Sequence, residues 1–209
     1  MISSFRALMI LLLPAALAAC DRQSQPPEQD SAQANAGIGG EVSATSGEVK
    51  GGGAKDSAFS YKLDRSKAGA AAPTLTFLDP AGGDMTLQDF AGKPMLVNLW
   101  ATWCAPCVAE MPTLDRIAAT HGAKGLAVLT ISQDNLGMKA VKPFFEKHKL
   151  PHLKGYADPE NQLGFHYATG QLPTTIVYDA QGKEMVRVVG AMDWESAEGK
   201  ALIDAAMAS

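Results

Sequence analysis

Beyond residue 70 the chain alternates between apolar runs of strand character and stripes of helical character. Residues 95–101, Met-Leu-Val-Asn-Leu-Trp-Ala, are apolar apart from Asn98, the pattern of a central strand covered on both faces. Residues 126–132 form a second such run. Residues 74–78 alternate polar and apolar, as a half-buried strand does. Residues 86–90 predict a short helix. Residues 108–120 carry Leu114, Ile117 and Ala118 on one helical stripe, with Pro112 expected to bend the helix and Gly122 to cap it. A further helix is expected over 135–149, with Val141, Phe144 and Phe145 inward and Lys139, Lys142, Lys147 and Lys149 outward. An added strand follows at 153–156. Residues 158–167 predict a short helix whose Phe165, His166 and Tyr167 pack inward. Residues 174–178 and 185–189 read as two strands joined by the turn Ala180-Gln181-Gly182-Lys183. A last helix opens at Trp194 with Asp193 as N-cap and buries Leu202, Ile203 and Ala206.

The first 70 residues are different in kind. Residues 1–19 read as an export signal, with Arg6 ahead of an apolar stretch that is too short for a comfortable membrane span. The stretch ends in Leu17-Ala18-Ala19-Cys20, which resembles a bacterial lipobox. That likeness implies lipidation of Cys20, and acyl chains at about 0.8 kcal/mol per buried CH₂ suffice for anchoring. Asp21 resembles an inner-membrane retention signal. Residues 20–70 then hold the lipidated cysteine and a linker rich in Gln, Ser, Gly, Ala and Pro, without the residues to build a core. Fifty such residues reach roughly 35–42 Å. Phe59-Ser60-Tyr61-Lys62-Leu63 is the one stretch of the linker able to dock as an edge strand. The folded domain is expected over 71–209.

Composition narrows the function. Of 209 residues 46% are hydrophobic, and the net charge is −4 without a Lys/Arg cluster, so the electrostatic case for nucleic-acid binding is absent. Three cysteines do not make a disulfide scaffold. His148 and His152 are separated by Pro151 and so do not share one continuous helix face, which argues against a metal pair.

The chemistry concentrates in Trp103-Cys104-Ala105-Pro106-Cys107, between the apolar strand and a helix start. Unpaired N–H groups and partial positive charge at a helix N-terminus favour thiolate over thiol. They can lower a cysteine pKa from about 8.5 to roughly 3.5–7.5. Cys104 is the expected attacking sulfur, and Cys107, three residues on, the resolving one. A Cys-x-x-Cys can also be half a zinc site, but no second pair exists here.

Residues 98–107, Asn-Leu-Trp-Ala-Thr-Trp-Cys-Ala-Pro-Cys, resemble the active-site segment of thioredoxin-fold oxidoreductases, closest to the membrane-tethered TlpA/ResA/CcmG group. Pro112 matches that family's kink proline, and Leu172-Pro173-Thr174 its cis-proline loop. The likeness runs from about 71 to 209. It implies a three-layer α/β sandwich with a mixed central sheet and a helix–strand insertion. It implies dithiol–disulfide exchange without a cofactor, with Trp103, Pro106, Leu172 and Pro173 against the substrate. Thioredoxin has a buried acid where Asn98 stands, and an amide cannot titrate. Resemblance to the subgroup places a functional glutamate at Glu110 instead, to exchange protons with Cys107. The implied partners are client proteins bearing disulfides and a membrane electron donor of the DsbD/CcdA type. The implied location is the periplasmic face of the inner membrane, and the implied work is cytochrome c maturation or copper-oxidase assembly. Two alternatives share the fold. A thiol peroxidase would need a Pro-x-x-x-Thr-x-x-Cys pattern, and Val97 and Ala101 occupy its key positions. A copper carrier would use a wider cysteine spacing and a distant histidine.

Overall fold

The computed structural model describes residues 59–209. The expected signal peptide, Cys20 and most of the linker lie outside the described residues. The elements run β1 (Ser60–Asp64), β2 (Phe77–Leu78), β3 (Asp84–Met85), β4 (Met95–Trp100), α1 (Ala105–His121), β5 (Ala127–Ser132), α2 (Met138–His148), β6 (Lys154–Ala157), α3 (Gln162–Tyr167), β7 (Thr174–Tyr178), β8 (Glu184–Ala191) and α4 (Ala197–Met207). Short 3-10 turns at Leu87–Phe90 and Gly122–Lys124 complete the order.

One eight-stranded sheet carries the domain, in the order β1-β8-β7-β4-β5-β6-β2-β3. β4, β5 and β6 are parallel, and β7, β8 and β1 extend the sheet antiparallel from β4. Parallel neighbours need long crossovers, and α1 and α2 supply them. Every residue of β4 is buried. Its side chains alternate faces. Leu96 and Trp100 join α1, α2 and α4 in one core through Met111, Leu114, Phe144 and Ile203. Met95, Val97 and Leu99 join Leu87, Leu163 and Tyr178 in the other. Helices thus cover both faces of a mixed sheet, as the resemblance implied. The inserted α2 presses hard on the inserted β6, because a Cβ on Gly155 would stand 2.5 Å from Val141 and 2.7 Å from Phe145.

Three expectations need correction. Folded structure reaches back past residue 71, since β1 pairs with β8 over its whole length and Tyr61 Oη donates to Glu198 on α4. The stretch that could dock as an edge strand does so. The last helix begins at Ala197, not Trp194, because Ser196 Oγ accepts from Gly199 N–H as the N-cap. Asp193 instead accepts from Glu195 N–H in a turn. Gly122 is the C-cap of α1, as expected, with φ −58°, and the left-handed residue that closes the 3-10 turn after it is Gly125, at φ +108°. Phe165 points outward and is 75% exposed, while Tyr167 of the same helix is buried.

Candidate active site

The sheet delivers the two cysteines to one end of the molecule. β4 ends at Trp100, and Cys104 N–H donates to Ala101 O at 3.1 Å, closing a turn before α1. Cys104 is the N-cap of α1, and its Sγ accepts from Cys107 N–H at 3.3 Å. Pro106 falls in the first helical turn, where a missing N–H costs nothing. Cys104 and Cys107 form a disulfide with Cα atoms 5.3 Å apart. Cys107 is fully buried, whereas Cys104 keeps slight exposure and lines a cleft. An incoming thiolate therefore reaches the pair from the Cys104 side.

That cleft, of about 680 Å³, runs between Trp103 and Phe165, with Leu99, Gln133, Gln171 and Leu172 among its lining. No charged side chain lines it. Trp103 is 73% exposed, so the two most exposed aromatic side chains of the described residues stand at its rims. Pro106 is exposed but not part of the lining. The Leu172-Pro173 peptide is cis. Pro173 is buried, and its carbonyl accepts from Gly190 N–H at 2.9 Å. Thr174 Oγ1 donates to Gln171 O at 2.8 Å, which fixes the loop.

α3 is held from both ends. Asp158 accepts from Gln162 N–H and Leu163 N–H at 3.0 and 2.8 Å, satisfying donors at the helix start. At the other end Arg187 donates to Tyr167 O at 2.9 Å while pairing with Glu184 at 2.6 and 3.0 Å. Phe165 is thus presented on an anchored helix. The sequence pattern did not show this, because Arg187 sits in a strand that otherwise reads as apolar.

Behind the disulfide lies an acid. Period-two alternation turns Asn98 to the same face as Leu96 and Trp100, toward α1. Its Nδ2 donates to Glu110 Oε1 at 2.7 Å and to Thr175 Oγ1, on the register partner in β7, at 2.9 Å. Glu110 Oε2 accepts from Met192 N–H at 3.1 Å. Glu110 is fully buried, so it is no solvated helix glutamate. Burial pushes its pKa from 4.5 up to about 8, against the weaker downward pull of the Met192 N–H, the Asn98 amide and the nearby Trp194 indole. Around it the Asn98 Oδ1 and the Trp194 Nε1 are buried without a hydrogen-bond partner of good geometry. Among the described residues no group of three or more His, Cys, Asp or Glu is placed to hold a metal ion. None of the helices there is long and apolar enough to cross a membrane.

Comparisons with known proteins show the family. The family model described as Redoxin matches residues 67–203. The chain is 29% identical to a thiol-disulfide oxidoreductase ResA of Bacillus thuringiensis (strain Al Hakam) over 141 residues, covering 68% of this chain and 80% of the relative. It is 35% identical over 132 residues to a thiol:disulfide interchange protein DsbE of Pseudomonas fluorescens biotype C, covering 59% and 71% respectively. Among solved structures it is similar to a thiol:disulfide interchange protein of the thioredoxin family from Chlorobium tepidum TLS, with TM-score 0.55 and 25% identity, covering 66% of this chain and 95% of that one.

Proposed function

The chain belongs to the Redoxin family and is a thiol-disulfide oxidoreductase of the ResA/DsbE type; from that premise we propose that it reduces disulfides in client proteins outside the cytoplasm, with Cys104 attacking and Cys107 resolving. The observation that carries the assignment of roles is the asymmetry of the pair: Cys104 faces a cleft and Cys107 is fully buried.

The cycle balances on sulfur alone. In the reduced protein the Cys104 thiolate attacks one sulfur of a client disulfide and expels the other as a thiolate. The mixed disulfide is then broken by the Cys107 thiolate, which attacks Cys104 Sγ and releases the second client thiolate. Two electrons pass to the client, and the Cys104–Cys107 disulfide remains. A dithiol donor must return two electrons to close the cycle.

Glu110 supplies the proton traffic. A carboxyl with pKa about 8 is close to neutrality, where a general base or acid is most effective. It lies three residues from Cys107 on α1, hence on the same helical face. In the reduced protein it takes the Cys107 proton directly or through water as resolution begins.

The client lies in the uncharged cleft. Leu172 lines it beside Cys104, and among the described residues its backbone N–H and C=O make no hydrogen bond. Those groups are placed to pair with an extended client strand by β-augmentation. Trp103 and Phe165 cover the flanking side chains.

Clients in the cytochrome c or copper-oxidase maturation systems, a membrane donor of the DsbD/CcdA type, and a lipid anchor at Cys20 on the periplasmic face complete the proposal. The residues Leu17-Ala18-Ala19-Cys20 support the anchor, and the likeness to the membrane-tethered group supports the clients and the donor.

The test is Cys107→Ser in cells. Mixed disulfides through Cys104 with exported proteins should accumulate, and mass spectrometry should identify the partners. Their absence, with the protein present and Cys104 reduced, would overturn the scheme.

A further inference from the structure

A second buried carboxylate stands near the redox turn, and exchange chemistry does not use it. Asp134 follows β5 and is 6% exposed. Its Oδ2 accepts from Thr102 N–H at 2.8 Å and from Ser132 Oγ at 2.7 Å. Its Oδ1 accepts from Thr102 Oγ1 at 2.8 Å. Its own N–H donates to Ser132 Oγ at 3.1 Å. Beside it, Gln133 N–H donates to Trp100 O at 2.8 Å. Hydrogen bonds to an ionised acceptor are about twice as strong as neutral ones, so three on one carboxylate make a stiff clamp.

The clamped residue matters. Thr102 lies inside the turn that Cys104 N–H closes onto Ala101 O. Cys104 Sγ in turn meets the Cys107 N–H. A continuous set of bonds therefore runs from the end of β5, through Asp134 and Thr102, to the sulfur at the helix N-terminus. Burying a carboxylate is costly unless its hydrogen bonds are made, and here each oxygen that bonds the turn bonds Thr102.

We propose that Asp134 is a positioning residue, which fixes Thr102 and thereby holds Cys104 Sγ in line with the N–H groups that stabilise its thiolate. The inference rests on Cys104 being the attacking sulfur. A simple charge effect has the opposite sign, because a nearby anion would disfavour the thiolate. Besides Cys104 no titratable side chain lines the cleft, and Glu110 is the carboxylate on the α1 side.

The experiment is the pH profile of iodoacetamide alkylation of the reduced full chain, with the modified cysteine identified by peptide mass. In Asp134→Asn the amide presents donors where Thr102 also donates. Cys104 alkylation at pH 6 should fall about tenfold, the equivalent of one pH unit in its titration, with an unchanged limiting rate at high pH. Thr102→Val keeps the carboxylate and one bond to Thr102, and should show a smaller fall, about threefold. An unmoved profile, or one shifted to lower pH, overturns the proposal. If Asp134→Asn does not fold, the Thr102→Val profile decides by the same criterion. Alkylation of Cys107 ahead of Cys104 in the parent protein would instead sink the assignment of the attacking sulfur.

Discussion

Replacing Glu110 with glutamine should make the protein more stable at alkaline pH and leave it little changed in acid. The reason lies in the cost of a buried charge. Glu110 titrates near 4.5 when exposed and is pushed up to about 8 by burial. Between those two values the native state binds a proton that the unfolded state has lost, so stability falls as pH rises. Below 4.5 the carboxyl is neutral in both states and no difference exists. Above 8 it is charged in both, and the native state carries the full penalty. The two values differ by 3.5 pH units, which at about 1.4 kcal/mol each comes to about 5 kcal/mol. Relaxation around the charge reduces this, so a loss on the order of 3–5 kcal/mol across the window is expected. Glutamine keeps the shape and removes the titration. Its amide would face the Asn98 donor, but Asn98 has an unpartnered Oδ1 and can turn it toward the new donor. The assay is urea unfolding of both oxidised proteins from pH 4.5 to 9, with m held as a check on two-state behaviour. A stability difference that does not change with pH would refute the buried-charge reasoning. A difference that grew toward acid would reverse its sign.

Two further outcomes follow from the site and its supports. Gly190→Ala should destabilise by about 2–4 kcal/mol, because Gly190 has φ +104° and an added Cβ would stand 2.3 Å from Ser60 O; a thermal melt matching the parent would exclude that packing of β1. Phe165→Ser should leave stability within about 0.5 kcal/mol, as for other exposed substitutions, yet slow reduction of a protein disulfide several-fold while sparing glutathione disulfide. Equal loss on both substrates would remove the cleft from client recognition.

Local chemistry made much of this protein legible in its sequence. Residues 95–100 have strand character wherever they are placed, and a helix starting after Cys104 puts two sulfurs at its positive end. The run 174–178 is a strand in the structure over the same residues. The resemblance around Asn98, Pro112 and Pro173 supplied the fold and the candidate site together. Where expectation and structure part, the deciding contact is distant in sequence. β1 looked like linker because five residues of mixed polarity have no strand identity until β8 offers them an edge. Phe165 looked like core because periodicity counts apolar residues and does not reveal which face of a six-residue helix meets the sheet.

The sequence by itself determined the reactive pair, its place at a strand-to-helix junction, and the layered α/β plan, since these follow from spacing along a few turns of chain. Only the tertiary structure decided the state of the groups around that pair. Glu110 is a shifted acid because α1, β4 and the Met192 backbone close over it. Asp134 is a clamp because β5 ends beside Thr102, 32 residues away along the chain. Desolvation and hydrogen bonding belong to surroundings assembled from separate segments, and no single segment carries that information.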